Sequence, residues 1–280
     1  MKLKDIYIRD PFVLVDGGKY YLYGSTDPQS WKGKADGFKA YVSDDLEEFE
    51  EHVIFENSDD FWAEEQFWAP EVHKYNGKYY LFAAFSKGDN VRRCQILSSD
   101  NPLGPFAPHN GLLFPNDTSN LDATFFVENG KRYTVYCREW TDIQVGEMCL
   151  AELDENLEVI GDIKTLFKAN DAPWVVEVEP NCYVTDGPFI RKNSKGEYVM
   201  LWSSHGKDGY AMGMAVADKL DGVWRHIEKP LISTNGGHGM IFEKGGKLFA
   251  SYHMPNDPHM QERAHFVEIE EDENGLFRVK

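Results

Sequence analysis

The chain has 280 residues, of which 42% are hydrophobic, so it can bury a substantial core. Its 29 Lys and Arg stand against 47 Asp and Glu, and a net charge of −18 disfavours nucleic acids and anionic membranes as partners while leaving neutral small molecules open. No stretch predicts a membrane span or a signal peptide, and the four cysteines show no CxxC or zinc-type spacing. We therefore expect a cytoplasmic protein with reduced thiols, and the alternative is a secreted protein whose signal peptide has been removed.

The first predicted strand begins at Asp10, where a polar residue precedes a short apolar run. The same construction recurs four more times along the chain. The five openings lie at Asp10, Glu71, Asp122, Asp186 and His238. Their separations are 61 (71−10), 51 (122−71), 64 (186−122) and 52 (238−186) residues, which indicates five repeats that together account for the whole chain.

Each opening leads into a predicted hairpin. The turns are Asp16-Gly17-Gly18, Asn76-Gly77, Asn129-Gly130, Ser194-Lys195-Gly196 and Lys244-Gly245-Gly246. Turns of this composition join antiparallel strands because Gly and Asn accept a positive φ. A third strand is predicted in every unit, near 38–43, 93–98, 147–153, 211–217 and 263–269, and an outer segment follows in the first four units.

Short strands in five units of 50 to 60 residues predict an all-β fold, a five-bladed β-propeller with four-stranded blades, formed by one domain over residues 1–280. A β-sandwich also contains many strands, but it does not explain a polar residue at the same place in every repeat. The innermost strand of each propeller blade lines the central axis. We therefore expect the five polar openings to meet at one end of that axis.

The motifs Arg-Asp-Pro at 9–11, Trp-Ala-Pro-Glu at 68–71, Leu-Asp-Ala-Thr-Phe-Phe at 121–126, Asp-Gly-Pro at 186–188 and Gly-Gly-His-Gly at 236–239 occur in this order at blade spacing. Together they resemble glycoside hydrolase family 43, and the resemblance covers essentially the whole chain. It implies a five-bladed propeller and an activity among β-xylosidases, α-L-arabinofuranosidases and arabinanases.

By this resemblance Asp10 is the general base, and Asp122 raises the pKa of the general acid and orients it. Asp186 is the acid, although the family usually has a glutamate there and aspartate is one methylene shorter. Three interpretations stay open: the backbone compensates so that Asp186 serves, Glu179 or Glu177 serves instead, or the protein binds sugar with little turnover. Inversion requires two carboxyl groups roughly 6.5–9.5 Å apart, with a water between the base and the sugar.

His238 matches the axial histidine of the family. The resemblance implies contact with a central water or with a metal ion, often calcium, while no cofactor is required for the chemistry. A single histidine is not a metal site by ligand count, so a water contact is an equal alternative.

Further residues are predicted to bind the sugar. Trp68 is expected to stack on a sugar face with assistance from Phe67, and Glu71 to contact hydroxyl groups. Arg263 follows the last central strand, where similar family members place an arginine near the substrate. Weaker candidates are His253, Trp140 and Trp174.

The predicted function is inverting hydrolysis of a terminal α-L-arabinofuranosyl or β-D-xylosyl residue from a small carbohydrate substrate. The alternatives are an endo-arabinanase, a galactofuranosidase, or a carbohydrate-binding propeller with little or no turnover. The loops at 27–37, 140–146 and 254–262 are expected to decide the specificity.

Overall fold

The computed structural model describes residues 1–29, 31–114 and 118–280, and over these ranges the chain forms five antiparallel sheets of four strands each. Ser30, in the predicted specificity loop at 27–37, lies outside the described residues. The five sheets form a ring, so the predicted five-bladed β-propeller is confirmed.

The strands of each blade follow one another in sequence, from the innermost to the outermost. Blade one contains β1 Arg9–Asp16, β2 Lys19–Ser25, β3 Gly37–Ser43 and β4 Glu50–Glu56. Blade two contains β5 Glu65–Tyr75, β6 Lys78–Ser86, β7 Arg93–Ser99 and β8 Ala107–Leu112. Blade three contains β9 Asn120–Glu128, β10 Lys131–Arg138, β11 Glu147–Leu153 and β12 Val159–Lys168.

Blade four contains β13 Asp186–Lys192, β14 Tyr198–Gly206, β15 Gly209–Ala217 and β16 Arg225–His226. Blade five contains β17 Ile241–Lys244, β18 Lys247–Met254, β19 Arg263–Glu271 and β20 Phe277–Val279. Among the described residues the helices are short: α1 Trp140–Ile143 and 3₁₀ turns at Leu3–Asp5 and Ala169–Asp171. No helix of this part of the chain has the length and apolarity needed to cross a membrane.

The hairpin turns form as their sequences predict. Asn76 and Gly77 have φ values of 48° and 81°, and Asn129 and Gly130 have values of 50° and 77°. Two consecutive residues with positive φ match the twist of the flanking strands, which is why Asn-Gly is favoured there.

Each blade also has a residue with positive φ near the start of its inner strand, and blade two has a further one at Gln66 (55°). We call the following five the left-handed residues: Asp10 (54°), Ala69 (45°), Asp122 (56°), Gly187 (51°) and His238 (48°). Strand pairing shifts register beside those of the first four blades, as in β-bulges. Bulges bend a strand and redirect its side chains, here at the end of the axis that carries the predicted site.

The residue before each left-handed residue pairs with a partner on the second strand of its own blade. The pairs are Arg9 with Ser25, Trp68 with Ala84, Leu121 with Cys137, Asp186 with Ser203, and Gly237 with His253. The five blades therefore share a common frame, in which Asp186 stands one residue before its left-handed residue, whereas Asp10, Asp122 and His238 are themselves the left-handed residues.

The hydrophobic core lies within and between adjacent blades, and its part between blades one and two is rich in phenylalanine. Phe67 is only 1% exposed, and its ring centroid lies 4.9 Å from that of Phe85 and 5.7 Å from those of Phe38 and Phe61. The prediction that Phe67 assists sugar binding is therefore wrong. Its neighbours on the strand face the axis, and alternation turns its own side chain into the blade interface.

Phe67→Ala is expected to destabilise the fold by about 3–5 kcal/mol, because it removes a fully buried ring and leaves a cavity that the surrounding rings fill only in part. Denaturant unfolding measures the loss. The control is Val223→Ala at a side chain that is 91% exposed, for which we expect a change within about 0.5 kcal/mol. Equal stability of the two variants would contradict the core assignment.

The ring closes without a strand shared between the first and last blades. Hydrogen bonds join their sides instead: the Ser251 hydroxyl donates to the Pro11 carbonyl at 2.6 Å, and the Ile8 N–H donates to the Glu262 carbonyl at 3.4 Å. The junction between blade five and blade one therefore depends on side-by-side contacts close to Asp10.

Candidate active site

A cavity of about 410 Å³ opens at the end of the axis where the left-handed residues lie, and all five blades contribute to its wall. Asp10, Asp122, Asp186 and His238 all line it. The structure thus brings four of the five predicted openings together in one cavity, although they come from four different blades.

Asp10 is held by bonds to both carboxylate oxygens and to its backbone. The Ser25 hydroxyl donates to Oδ2 at 2.6 Å, and His238 Nδ1 lies 3.1 Å from Oδ1. The backbone N–H donates to His253 Nδ1 at 3.1 Å. Burial disfavours the charged form, but positive charge at His238 and the Ser25 bond outweigh it and lower the pKa of Asp10 below its ordinary value of 3.8. Asp10 is therefore ionised at neutral pH.

The pKa values of Asp122 and Asp186 are shifted in the opposite direction to that of Asp10. Burial raises the pKa of both carboxyl groups above 3.8, and repulsion from Asp186 raises that of Asp122 further. Asp122 Oδ2 accepts the Gly187 N–H at 2.9 Å, and Asp186 Oδ2 accepts the Tyr210 hydroxyl at 2.8 Å. The two groups titrate as a pair, which keeps a proton at pH values where Asp10 has lost its own.

His238 lies between these carboxyl groups. Its Nδ1 is 3.1 Å from Asp10 and 3.8 Å from Asp122, and its backbone N–H donates to the Ser203 hydroxyl at 2.7 Å. Burial works against a charged imidazole, but attraction to Asp10 and the other nearby carboxylates is stronger and raises the pKa of His238 above 6.5. A cationic His238 balances part of the negative charge gathered in the cavity.

The ring of His238 also requires glycine at position 187. A Cβ on Gly187 would lie 2.5 Å from Cδ2 and 2.9 Å from Nε2 of the histidine. No side chain fits at that distance, and φ of 51° is itself unfavourable for most residues. The glycine of the Asp-Gly-Pro motif is therefore needed both for its backbone conformation and for the space that it leaves.

The residues around His238 do not fit a protein-bound calcium ion, which takes six to eight oxygen ligands. Within the described ranges, no three His, Cys, Asp or Glu side chains are grouped so that they could hold a metal. Nδ1 of His238 faces Asp10, and its Nε2 lies against Gly187. The side chains in this part of the chain therefore do not form a donor set by themselves, and an ion held near His238 through water molecules stays a prediction.

Trp68 lines the cavity, as the sequence predicted. The guanidinium of Arg92 lies 5.6 Å from its ring, and Trp31 contacts it edge-on with a centroid distance of 5.4 Å. Trp31, which also lines the cavity, is 53% exposed. Two indole rings thus form one side of the cavity, an arrangement suited to the apolar faces of a sugar.

Glu71 does not line this cavity, so the prediction that it contacts sugar hydroxyls is wrong. Its Oε2 lies 3.0 Å from His73 Nε2. The reason is the register of blade two, whose left-handed residue is Ala69. Glu71 lies two residues further along the strand, the place that Phe12 holds in blade one, and its carboxylate is buried.

Arg263 is also absent from the cavity wall, so the prediction that it lies near the substrate is corrected as well. Its guanidinium donates to the carbonyl oxygens of Lys4 at 2.8 Å and Glu262 at 2.7 Å, so it fastens the N-terminal turn to blade five. An arginine does line the cavity next to Asp10, but it is Arg9. Arg9 donates to Glu262 Oε1 at 2.6 Å. It is the first residue of the Arg-Asp-Pro motif, so the sequence could have identified it.

A second arginine, Arg92, was not predicted at all. It lines the cavity and is buried against Glu139: Nε donates to Oε2 at 2.7 Å, and Nη2 donates to Oε1. No local motif marks either residue, because they are 47 positions apart. Of the weaker candidates, Trp140 lines the cavity, Trp174 is buried in the core, and His253 lies behind Asp10.

Glu179 also lines the cavity, and Tyr210 joins it through its bond to Asp186. The segment that carries Glu179 connects blades three and four. Glu177 is not part of the wall, and its Oε2 accepts the backbone N–H of Asn181 at 2.9 Å. Of the two alternative acids, the structure places only Glu179 in the cavity.

Comparison with known proteins gives a consistent result. The family model for glycosyl hydrolases family 43 matches residues 5–275. An endo-arabinase structure from Bacteroides thetaiotaomicron has 35% identity and a TM-score of 0.88, with 98% of each chain covered. A thermostable family-43 glycoside hydrolase structure has 27% identity and a TM-score of 0.86, covering 98% of this chain and 93% of the other.

A xylosidase/arabinosidase from Bacteroides ovatus is 28% identical over 141 residues, which is 46% of this chain and 43% of that protein. The matched part spans less than half the length of the first curated relatives.

Proposed function

Because the chain belongs to glycosyl hydrolase family 43, we propose that it hydrolyses glycosidic bonds with inversion and releases a terminal α-L-arabinofuranosyl or β-D-xylosyl residue from an oligosaccharide. The names of its relatives, a xylosidase/arabinosidase among them, support a pentose as the sugar. We also propose that residues 1–280 act as one catalytic propeller.

The observation that carries the proposal is the opposite direction of two pKa shifts within one cavity. Burial raises the pKa values of Asp122 and Asp186, whereas at Asp10 the positive charge of its neighbours outweighs burial and lowers the pKa. Asp10 therefore loses its proton at a lower pH than the other two carboxyl groups. Two carboxyl groups whose pKa values are shifted in opposite directions supply the base and the acid that a glycosidase needs at the same pH.

In the proposed reaction, Asp10 removes a proton from a water molecule as its oxygen attacks the anomeric carbon. The bond from that carbon to the leaving oxygen breaks, and Asp186 gives its proton to this oxygen. Attack from the opposite side inverts the anomeric configuration. Asp122 and Tyr210 hold Asp186 in place, and Asp122 helps to keep a proton on the pair.

Two contacts near Asp186 could compensate for its side chain, which is one methylene shorter than the glutamate that is usual in the family. Its carboxyl group is supported by the Tyr210 hydroxyl, and the next residue, Gly187, donates its N–H to Asp122. The bond to Asp122 joins the start of β13 to the neighbouring acid, and the bond from Tyr210 fixes the Asp186 carboxyl group within its own blade. They support the interpretation in which local backbone geometry compensates for the missing methylene.

We expect kcat/KM to follow a bell-shaped dependence on pH. Its acidic limb should lie below pH 3.8, because the rate requires ionised Asp10 and the pKa of that group is lowered. Its alkaline limb should lie well above pH 3.8, where the raised pKa values of Asp122 and Asp186 cause the pair to lose its proton. Initial rates over the range in which the fold is intact, followed by circular dichroism, test this. A rate that rises steadily into alkaline pH would contradict it.

A panel of nitrophenyl glycosides tests the function itself. Hydrolysis of the α-L-arabinofuranoside or the β-D-xyloside, with NMR detection of the first product anomer, is expected to show the inverted sugar. The panel also contains the galactofuranoside, whose preferential hydrolysis would replace the pentose assignment. Binding of these sugars without hydrolysis would support the alternative, a carbohydrate-binding propeller with little or no turnover.

Endo-acting arabinanase activity is the second candidate, because the 35% identical structure is an endo-arabinase. Linear arabinan and reduced arabino-oligosaccharides separate the two modes. Release of arabinose alone from the first minutes supports a terminal cleavage, whereas an early series of oligosaccharides supports internal cleavage.

A further inference from the structure

We propose that His253 is a positioning residue that holds the backbone of Asp10 from the opposite side of the ring junction, acting as a neutral imidazole. The inference rests on the proposed role of Asp10 as the base. His253 belongs to blade five and Asp10 to blade one, and the Asp10 N–H donates to His253 Nδ1 at 3.1 Å.

The contact is one of three equivalent contacts between neighbouring blades. The N–H of Ala69 donates to the Ser25 hydroxyl at 2.8 Å, and that of His238 donates to the Ser203 hydroxyl at 2.7 Å. Ser25, Ser203 and His253 occupy the same position on the second strand of their blades, opposite the residue before the left-handed one. In each case the side chain fixes the left-handed residue of the next blade.

The direction of the hydrogen bonds determines the state of the His253 ring. A backbone N–H can only donate, so Nδ1 must accept and carries no proton. Nε2 then carries the proton and donates to Asn256 Oδ1 at 3.1 Å. The same oxygen accepts Arg9 Nη2 at 2.8 Å, and Glu262 anchors Arg9.

The environment favours this neutral form. The His253 side chain is fully buried, and burial lowers its pKa to about 4. The charged or titratable groups near it are Arg9, Asp10, His238 and Tyr210, and Nδ1 lies 3.5 Å from Asp10 Oδ1 in addition to its hydrogen bond with the Asp10 N–H. A second proton on His253 would turn two donors, Nδ1–H and the Asp10 N–H, toward each other.

The function of the contact follows from the conformation of Asp10. A φ of 54° is uncommon for a residue with a side chain and persists only where its surroundings impose it. Ser25 and His238 hold the carboxylate, whereas His253 holds the backbone. A displacement of the base by about 1 Å can cost on the order of 10²-fold in rate. Loss of the Nδ1 acceptor of His253 should therefore slow the attack of water on the anomeric carbon.

His253 also stacks on Tyr210 with a centroid distance of 5.6 Å and an interplanar angle of 19°, and Tyr210 donates to Asp186. The leaving group separates an effect on the base from an effect on the acid. A dinitrophenyl leaving group needs little protonation, so a defect in the acid is relieved on that substrate while a defect in the base is retained.

The kinetic test compares His253→Leu, His253→Gln and the matched control His265→Leu. His265 lies in the same blade, and its Nε2 contacts the Met254 carbonyl at 3.2 Å, away from the cavity wall. We expect His253→Leu to lower kcat by ~10- to 100-fold on dinitrophenyl and nitrophenyl glycosides alike, with KM little changed. His253→Gln, which keeps an acceptor and a donor, should recover most of kcat, and His265→Leu should match the unmodified protein.

Unchanged kcat in His253→Leu would overturn the inference, and so would a loss that disappears on the dinitrophenyl substrate. A ¹⁵N NMR measurement on the unmodified protein gives a readout that needs neither activity nor a foldable variant. It should show His253 as a neutral Nε2–H imidazole from pH 6 to 8, and a proton on Nδ1 would refute the inference. If the unmodified protein hydrolyses no glycoside, the proposed function fails, and the NMR result alone decides the state of His253.

Discussion

Asp10→Asn is expected to lower kcat by ~10²- to 10⁴-fold, the range typical for loss of a general base. The amide keeps nearly the same volume and can still accept from the Ser25 hydroxyl, which in the unmodified protein lies 2.6 Å from Oδ2. It cannot accept a proton from water. Because Asp10 acts on water and not on the bound sugar, KM should change by much less than kcat. Steady-state kinetics on a nitrophenyl pentoside gives both numbers.

The control for this variant is Asp16→Asn at the other end of β1. Asp16 forms an exposed ion pair with Lys74 at 2.8 Å and accepts from the Tyr79 hydroxyl, so it shares the strand and the chemical change without reaching the cavity. We expect kcat of Asp16→Asn to stay within about twofold of the unmodified value, since surface ion pairs contribute little. A folded Asp10→Asn protein with full activity would exclude Asp10 as the base.

Asp186→Asn is expected to lower kcat/KM by ~10²- to 10⁴-fold on substrates with poor leaving groups such as alkyl glycosides or oligosaccharides, because the leaving oxygen then departs without a proton. On a dinitrophenyl glycoside the loss should be far smaller. The alkaline limb of the pH profile should also disappear or move, since that limb reports the pair containing Asp186. The comparison of leaving groups measures proton donation directly.

The competing donor is Glu179, the other carboxylate suggested as acid, which lines the same cavity. Glu179→Gln therefore serves as the matched variant. If Glu179→Gln shows the dependence on the leaving group and loses the alkaline limb while Asp186→Asn keeps both, then Glu179 is the acid. The support that Asp186 receives from Tyr210 at 2.8 Å favours the opposite result.

The sequence was sufficient for the blades and for most of the site. Hairpin turns such as Asn76-Gly77 specify antiparallel pairs through local backbone preferences, and the openings repeat at blade spacing. Asp10, Asp122 and His238 stand at the same place in three blades, so their convergence followed from the repeat. These features depend on the order of elements along the chain, which the sequence contains directly.

Other site residues could not be found in this way, because their positions depend on register and on distant partners. Glu71 appears polar at a strand opening, yet a bulge puts Ala69 at the equivalent position, and sequence patterns do not reveal where pairing shifts. Arg92 reaches the cavity through a buried pair with Glu139, on another blade. Arg263 and Arg9 both lie near blade five, and only the path of the chain shows which guanidinium faces the ligand.

The junction between the first and last blades has a consequence for how the protein fails. The proposed base stands on one side of that seam and its backbone support on the other, while every sheet is complete within one continuous stretch of chain. A small separation of blades one and five would abolish activity while leaving the secondary structure intact. Enzymatic activity would therefore depend on whether blades one and five stay in contact. We expect heat or denaturant to abolish activity before the sheets unfold.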